Sequence, residues 1–340
     1  MLDISKDTQA ILLLYGQWDK QENAAKPLTL SEYNRLIDWL KQKNLRPGDM
    51  LETDSFQNDL SFPLDFSRIQ LLLNRGGVLA LDLERWLNVG GWVLSRADED
   101  YPKKLKDILG KYAPPVFYGV GTRKFLSGGG IAFVGSRDVS KDGEEATLRI
   151  GSQCARNHIT VISGGARGVD QIAMKSSLDS NGNVIGVLSN DLSRLSVTHD
   201  CRDAIERGNL VLLSPFHPTA GFHVGNAMAR NKVIYALSDA TVVISSSDGT
   251  GGTWEGAVEN LQKWRVPLFV RPDNSLAGNI HLIEKGAIEL PHEAFEHPEL
   301  LQNQGYVSKS AHNVSSTKLS GFDSSSSFPV KGMQKLLPFN

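Results

Sequence analysis

Short apolar runs, each ending at a polar, glycine-rich loop, dominate the middle of the chain. Ile131–Val134 ends at "GSRDVS", Thr160–Ile162 at "SGGARGVD", and Val184–Leu188 at "SNDLS". Leu210–Leu213 ends at "SPFHP", Thr241–Ile244 at "SSSDGTGG", and Leu268–Val270 at "RPD". The runs are continuous rather than alternating, as in strands buried on both faces. Helical stretches fall between most of them. The pattern predicts an α/β domain with a mainly parallel sheet and helices on both faces.

Residues 1–100 follow a different period. Thr29-x-x-Glu32 is a capping box, and Leu30, Tyr33, Leu36, Ile37 and Leu40 follow at helical spacing. "PGD" at 47–49 stops that helix. "DFSRIQLLLNRGG" and "LALDLERWLNVGG" each read as a helix closed by Gly-Gly. A small helical domain over 1–100 is expected. Residues 101–125 hold Pro102, Pro114 and Pro115 and read as a connecting segment: a helix, a break, then a short extended stretch. The α/β domain is expected over 126–298. Residues 299–340 are rich in Ser and lack periodicity, so a flexible tail is expected, ending in "KLLPFN" as a short docking segment.

Composition narrows the classes. The 340 residues are 40% hydrophobic and 22% charged, ordinary for a soluble globular chain. No apolar run approaches the roughly 20 residues of a membrane span. "ILLLYG" is too short, and it lacks the positive flank of a signal peptide. Cys154 and Cys201 make neither a disulfide framework nor a metal site, so free thiols in the cytoplasm are expected. His158, His199, His217 and His223 lack metal-ligand spacing. Ser136 and Ser163 lack the context of a nucleophile elbow. No cofactor is implied.

Charge sharpens the picture where the loops are. The net charge of −2 gives no global pull toward nucleic acid. Residues 101–275 carry 20 Lys+Arg against 16 Asp+Glu, while residues 1–100 carry 11 against 16. The one positive segment thus holds the glycine loops.

In a parallel α/β sheet those loops gather along one edge, where ligands bind. Gly135–Ser136–Arg137, Ser163–Gly164–Gly165 and Gly249–Thr250–Gly251–Gly252–Thr253 share one design of strand, glycines and helix start. Such loops offer unpaired N–H groups and a partial positive charge to an anion. Arg137, Arg167 and Arg230 add guanidinium forks, which grip phosphate with two bonds at once. Asn231 and Lys232 follow Arg230 directly. Asp170, near the start of the helix after Arg167, is expected to hold that arginine or cap the loop. Trp254 either stacks a base or packs, and Trp86 and Trp92 are expected in the core. "GGARGVD" is not the dinucleotide fingerprint, and no acidic residue stands where it would bind ribose.

"IAFVGSRDVSKDGEEAT", "ITVISGGARGVDQIA" and "ARNKVIYALSDATVVISSS" resemble, in order and spacing, the core motifs of the DNA-processing protein A (DprA/Smf) family. The likeness covers roughly 92–275, with "GGWVLSRADEDYPKKLKDILGKYAPPVFYGVG" resembling the family's lead-in. The resemblance implies a Rossmann-like domain that binds single-stranded DNA, forms a homodimer and helps load a RecA-type recombinase. It also implies that Arg137, Gly164, Gly165, Arg167, Arg230 and Asn231 line the DNA-phosphate pocket. The chain departs from the family at Met174, where His is usual, and at "NDLSRLSVTHD", where "GLDxxYPxxN" is common.

A second resemblance points to another class. "DGTGGTWEGAVE" is similar to the "PGG-x-GT-x-E" signature of LOG-type nucleotide phosphoribohydrolases, with Gly249, Gly252, Thr253 and Glu255 matching. Asp248 and Thr250 stand in place of the Pro and second Gly. That resemblance implies a nucleotide hydrolase, or a nucleotide-sensing module without turnover, acting through Arg230 and Glu255. Against it, Glu255 near a helix start is also what the helix dipole alone favours. A binding protein without catalytic residues is the preferred expectation.

Overall fold

The computed structural model describes residues 4–17, 25–52 and 59–303. The Ser-rich segment from 304 and "KLLPFN" lie outside the described residues.

Four helices come first: α1 (Lys6–Tyr15), α2 (Leu30–Gln42), α3 (Phe66–Leu73) and α4 (Gly76–Asn88). The "ILLLY" run of α1 is apolar all round because it is buried all round. Ile11 and Leu14 pack with Tyr33, Leu36 and Leu40, whereas Leu12 and Leu13 pack with Leu79 and Leu83 against the sheet. The capping box of α2 is formed: Glu32 accepts from the Thr29 N–H at 2.8 Å and donates its own N–H to Thr29 Oγ1 at 3.3 Å. Arg68 Nη1, from α3, holds the same carboxylate at 2.8 Å. Gly76 and Gly77 differ from expectation, since they open α4 rather than close α3. The break comes at Arg75, whose guanidinium reaches back to the Leu13 and Gly16 carbonyls. Gly90, at φ +79°, does end α4.

The sheet then starts earlier than the sequence pattern suggests. Its strands are β1 (Gly91–Ser95), β2 (Val116–Gly121), β3 (Ile131–Val134), β4 (Val161–Ser163), β5 (Val184–Val187), β6 (Leu210–Ser214), β7 (Ala240–Val243), β8 (Leu268–Val270) and β9 (Ile288–Glu289). Their order is β1-β2-β6-β5-β4-β3-β7-β8-β9. The strands from β3 onward pair in parallel, while β2 pairs antiparallel with both β1 and β6. Thus β1 lies within the stretch expected to be helical, and β2 within the expected connecting segment. Two short runs set apart by Pro102, Pro114 and Pro115 find their partners only through the tertiary fold.

Helices cover both faces. On one lie α1, α4, α6 (Lys141–Arg156), α7 (Val169–Asp179) and α9 (His199–Glu206), with Ile150, Cys154, Val169 and Ala173 in the core. On the other lie α5 (Lys103–Leu109), α10 (Val224–Leu237), α11 (Gly252–Glu259) and α12 (Ala277–Glu284), around Phe117, Val233 and Leu237. A single-turn helix, α8 (Leu192–Leu195), follows β5. The chain leaves β3 in one direction and returns to its other side at β7. The loops after these two strands diverge there, which opens a crevice at the carboxyl ends of the strands. The Ser136 N–H spans it to the Ser245 carbonyl at 3.0 Å.

Candidate functional site

A pocket of about 170 Å³ opens at the carboxyl ends of β3, β4 and β5. Its floor is the Gly164–Gly165 turn. Gly165 has φ +69°, and Gly164 has no room for a side chain because the Arg230 guanidinium and Asp170 Oδ2 occupy that space. Asp170, in the first turn of α7, accepts the Gly164 N–H at 3.1 Å. Arg230, from α10, donates through Nη1 to the Val187 carbonyl at 3.0 Å. Its buried Nε–H has no hydrogen-bond partner among the described residues.

The two charges shape each other. Burial pushes the Asp170 carboxyl up, and Arg230 opposes that shift. Burial lowers the Arg230 pKa against the pull of Asp170, and the like charge of Arg137 lowers it further. Asp170 therefore serves Arg230 and the loop backbone. Arg167, the arginine expected to be its partner, instead meets Asp138 at 2.5 Å on the surface.

The pocket mouth combines charge with apolar surface. Arg137 is exposed and its guanidinium lies 5.8 Å from the Phe222 ring centre. Arg194 of α8 also lines the pocket, with Leu188 and Leu195. Arg194 and Phe222 carried no signal in the glycine-loop pattern. The mark that Phe222 leaves in the sequence is a lone aromatic in the polar stretch "TAGFHVG".

Other expected residues lie elsewhere. Ser163 is fully buried, and its hydroxyl donates to the Phe133 carbonyl at 2.7 Å. Gly135 packs against the Val169 side chain. Asn231 Nδ2 donates to the Gly252 carbonyl at 3.2 Å, and Lys232 Nζ lies over the Tyr112 ring. Gly249, Thr250, Gly251 and Gly252 are exposed at the start of α11, with Thr253 half-buried behind them. Asp248 ties this loop to α12 through His281 at 2.7 Å, and the contact raises the His281 pKa. Glu255 is exposed on α11 and does not line the pocket that holds Arg230. Trp86 is in the core, while Trp254 is half-buried with Lys285 over its ring. His217 faces Asp82, and no cluster of His, Cys, Asp or Glu among the described residues suits a metal ion. Cys154 and Cys201 are buried, unpaired thiols.

The model of the DNA recombination-mediator protein A family matches residues 92–297. This chain belongs to that family. The matched region runs from β1 to the segment after β9, so it includes the antiparallel edge. The chain is 26% identical to the DNA processing protein DprA of Bacillus subtilis, over 62% of this chain and 70% of that one. It is 28% identical to protein Smf of Synechocystis, over 57% of this chain and half of that one. The solved DNA processing protein A of Streptococcus pneumoniae shares the fold, with a TM-score of 0.68 at 20% identity, covering 89% of this chain and all of that one. The Helicobacter pylori family member, whose structure describes a single-stranded DNA binding mode, aligns with a TM-score of 0.52 at 27% identity. That alignment covers 62% of this chain and 95% of the other. No helix among the described residues is long and apolar enough to cross a membrane.

Proposed function

We propose that the protein binds single-stranded DNA at this pocket and acts as a recombination mediator. One observation carries the reading: the buried Arg230 and the exposed Arg137 line one pocket together, beside the Gly164–Gly165 turn. A phosphate between them meets two guanidinium groups, which suit it through charge-assisted hydrogen bonds. Phe222 offers a face on which an unpaired base stacks, as sequence-tolerant single-strand binders require. A base in a duplex is already stacked and paired, so the pocket favours single strands.

The loop Gly249–Thr253, at the start of α11, is a second phosphate cradle in this reading, with Asn231 holding its backbone from α10. Arg167 contributes from the rim by exchanging Asp138 for a phosphate. A homodimer and a RecA-type recombinase partner rest on family membership; light scattering and a pull-down with purified recombinase test them. The buried, unpaired cysteines fit the reducing cytoplasm. A hydrolase acting through Arg230 and Glu255 is not favoured, because Glu255 lies outside the pocket that contains Arg230.

The test is an anisotropy titration with labelled oligo-dT and with duplex of equal length, at two salt concentrations. Preference for oligo-dT, with a log–log salt slope of about −1.5 to −2 for two to three phosphates, is expected. Equal affinity for both forms, or no salt dependence, overturns the reading.

A further inference from the structure

The outer wall of the pocket hangs on a loop that the N-terminal helices hold. Asp82 stands on α4 between Leu79 and Leu83, both buried in the sheet core. Its carboxylate meets His217 Nε2 at 2.7 Å. The two side chains are 25% and 15% exposed, so solvent screens this pair less than an open surface pair.

His217 begins the loop that follows β6. Its Nδ1 accepts the Thr219 backbone N–H at 3.3 Å. The Thr219 hydroxyl lies 2.9 Å from the same Nδ1, so the imidazole is held on one side by its own loop and on the other by Asp82. The loop then reaches the pocket in two ways. The Pro218 carbonyl accepts the Ser193 N–H at 3.0 Å, and the Ala220 carbonyl accepts the Asp191 N–H at 2.9 Å. These bonds hold the start of α8, a four-residue helix too short to be stable alone, which carries Arg194 and Leu195 into the pocket. Two residues beyond Ala220 stands Phe222, which also lines the pocket.

We infer that Asp82 is a positioning residue for nucleic-acid binding, acting through His217 to hold both the α8 wall and Phe222 in place. The helical region thereby sets the affinity of a pocket to which, among the described residues, it contributes no lining side chain. The inference rests on the pocket being the single-stranded DNA site. Coupling of this kind is reciprocal: DNA in the pocket must also strengthen the Asp82–His217 contact.

The test is an oligo-dT titration of the full chain carrying Asp82→Ala, Asp82→Asn or, as a control, Arg137→Glu. Asp82→Ala is expected to weaken binding about tenfold, the worth of one hydrogen bond to a charged group. Asp82→Asn keeps a side-chain oxygen for His217 Nε2 and is expected to restore most of the loss. Wild-type affinity in Asp82→Ala, with binding lost in Arg137→Glu, overturns the inference and leaves the pocket standing. Wild-type affinity in Arg137→Glu removes both. Hydrogen exchange of the unaltered protein provides a measure free of folding effects. Saturating oligo-dT is expected to slow exchange in 217–220 and in α4 around Asp82, and no change there contradicts the coupling.

Discussion

Asp170 and Arg230 face each other beneath Gly164, with only 7% and 6% of their surfaces exposed. Each offsets part of what burial costs the other. Removing one partner of a buried pair leaves the other charge uncompensated and costs about 3–5 kcal/mol. Asp170→Ala is therefore expected to lower the urea midpoint strongly, since it also strands the Gly164 N–H. A midpoint within error of wild type would mean that the pair is not structural.

Gly164→Ala tests the floor by sterics. A Cβ there overlaps Arg230 Nη1 and crowds Asp170 Oδ2. The guanidinium must move, so oligo-dT affinity is expected to fall at least tenfold, read by anisotropy. Gly77→Ala is the contrasting case, because that helical position has nothing within 4 Å of a Cβ. It is expected to raise stability by about 0.5–1 kcal/mol through helix propensity alone, with unchanged DNA affinity.

Phe222→Ala removes the stacking face and leaves the charges. Base–aromatic stacking contributes about 1–3 kcal/mol per base, so an affinity loss of roughly five- to 150-fold is expected. The salt slope should stay the same, because no phosphate contact is lost. Phe222→Trp is expected to bind at least as well as wild type. A changed slope in Phe222→Ala would place the residue's effect on the arginines instead.

The helical region carries its own pH signature. The Glu32 carboxyl is held down to about 2, first by the Arg68 guanidinium and then by the Thr29 N–H. A carboxylate depressed in the folded state stabilises above its ordinary pKa of 4.5, and that stability fades as pH falls from there toward 2. Glu32→Gln is expected to be less stable than wild type at neutral pH, with the gap closing across that acid window. A gap independent of pH, followed by urea unfolding at several pH values, would refute the assignment.

The parallel strands were legible because they are buried on both faces and so read as unbroken apolar runs. The antiparallel edge was not: Gly91 hides β1 behind a helix-ending Gly-Gly, and "VFYGVG" of β2 reads as a lead-in until β6 supplies a partner. The glycine turn, Arg137 and Arg230 stood out because a tight approach to an anion needs glycine, and a bidentate grip needs arginine. Their arrangement did not. Arg230 lies 60 residues after Asp170 in sequence, so only the fold reveals which arginine the buried carboxylate serves. Phe222 comes from an irregular segment and Arg194 from a single-turn helix too short to show a period, and a loop bonded to α8 brings them to one pocket.

The most direct measurement is a hydrogen-exchange footprint of the full chain with and without saturating oligo-dT. Slower exchange at 164–166, 188–195 and 222–227 is the expected result. Protection confined to another surface, with those three segments unchanged, would contradict the pocket as the DNA site.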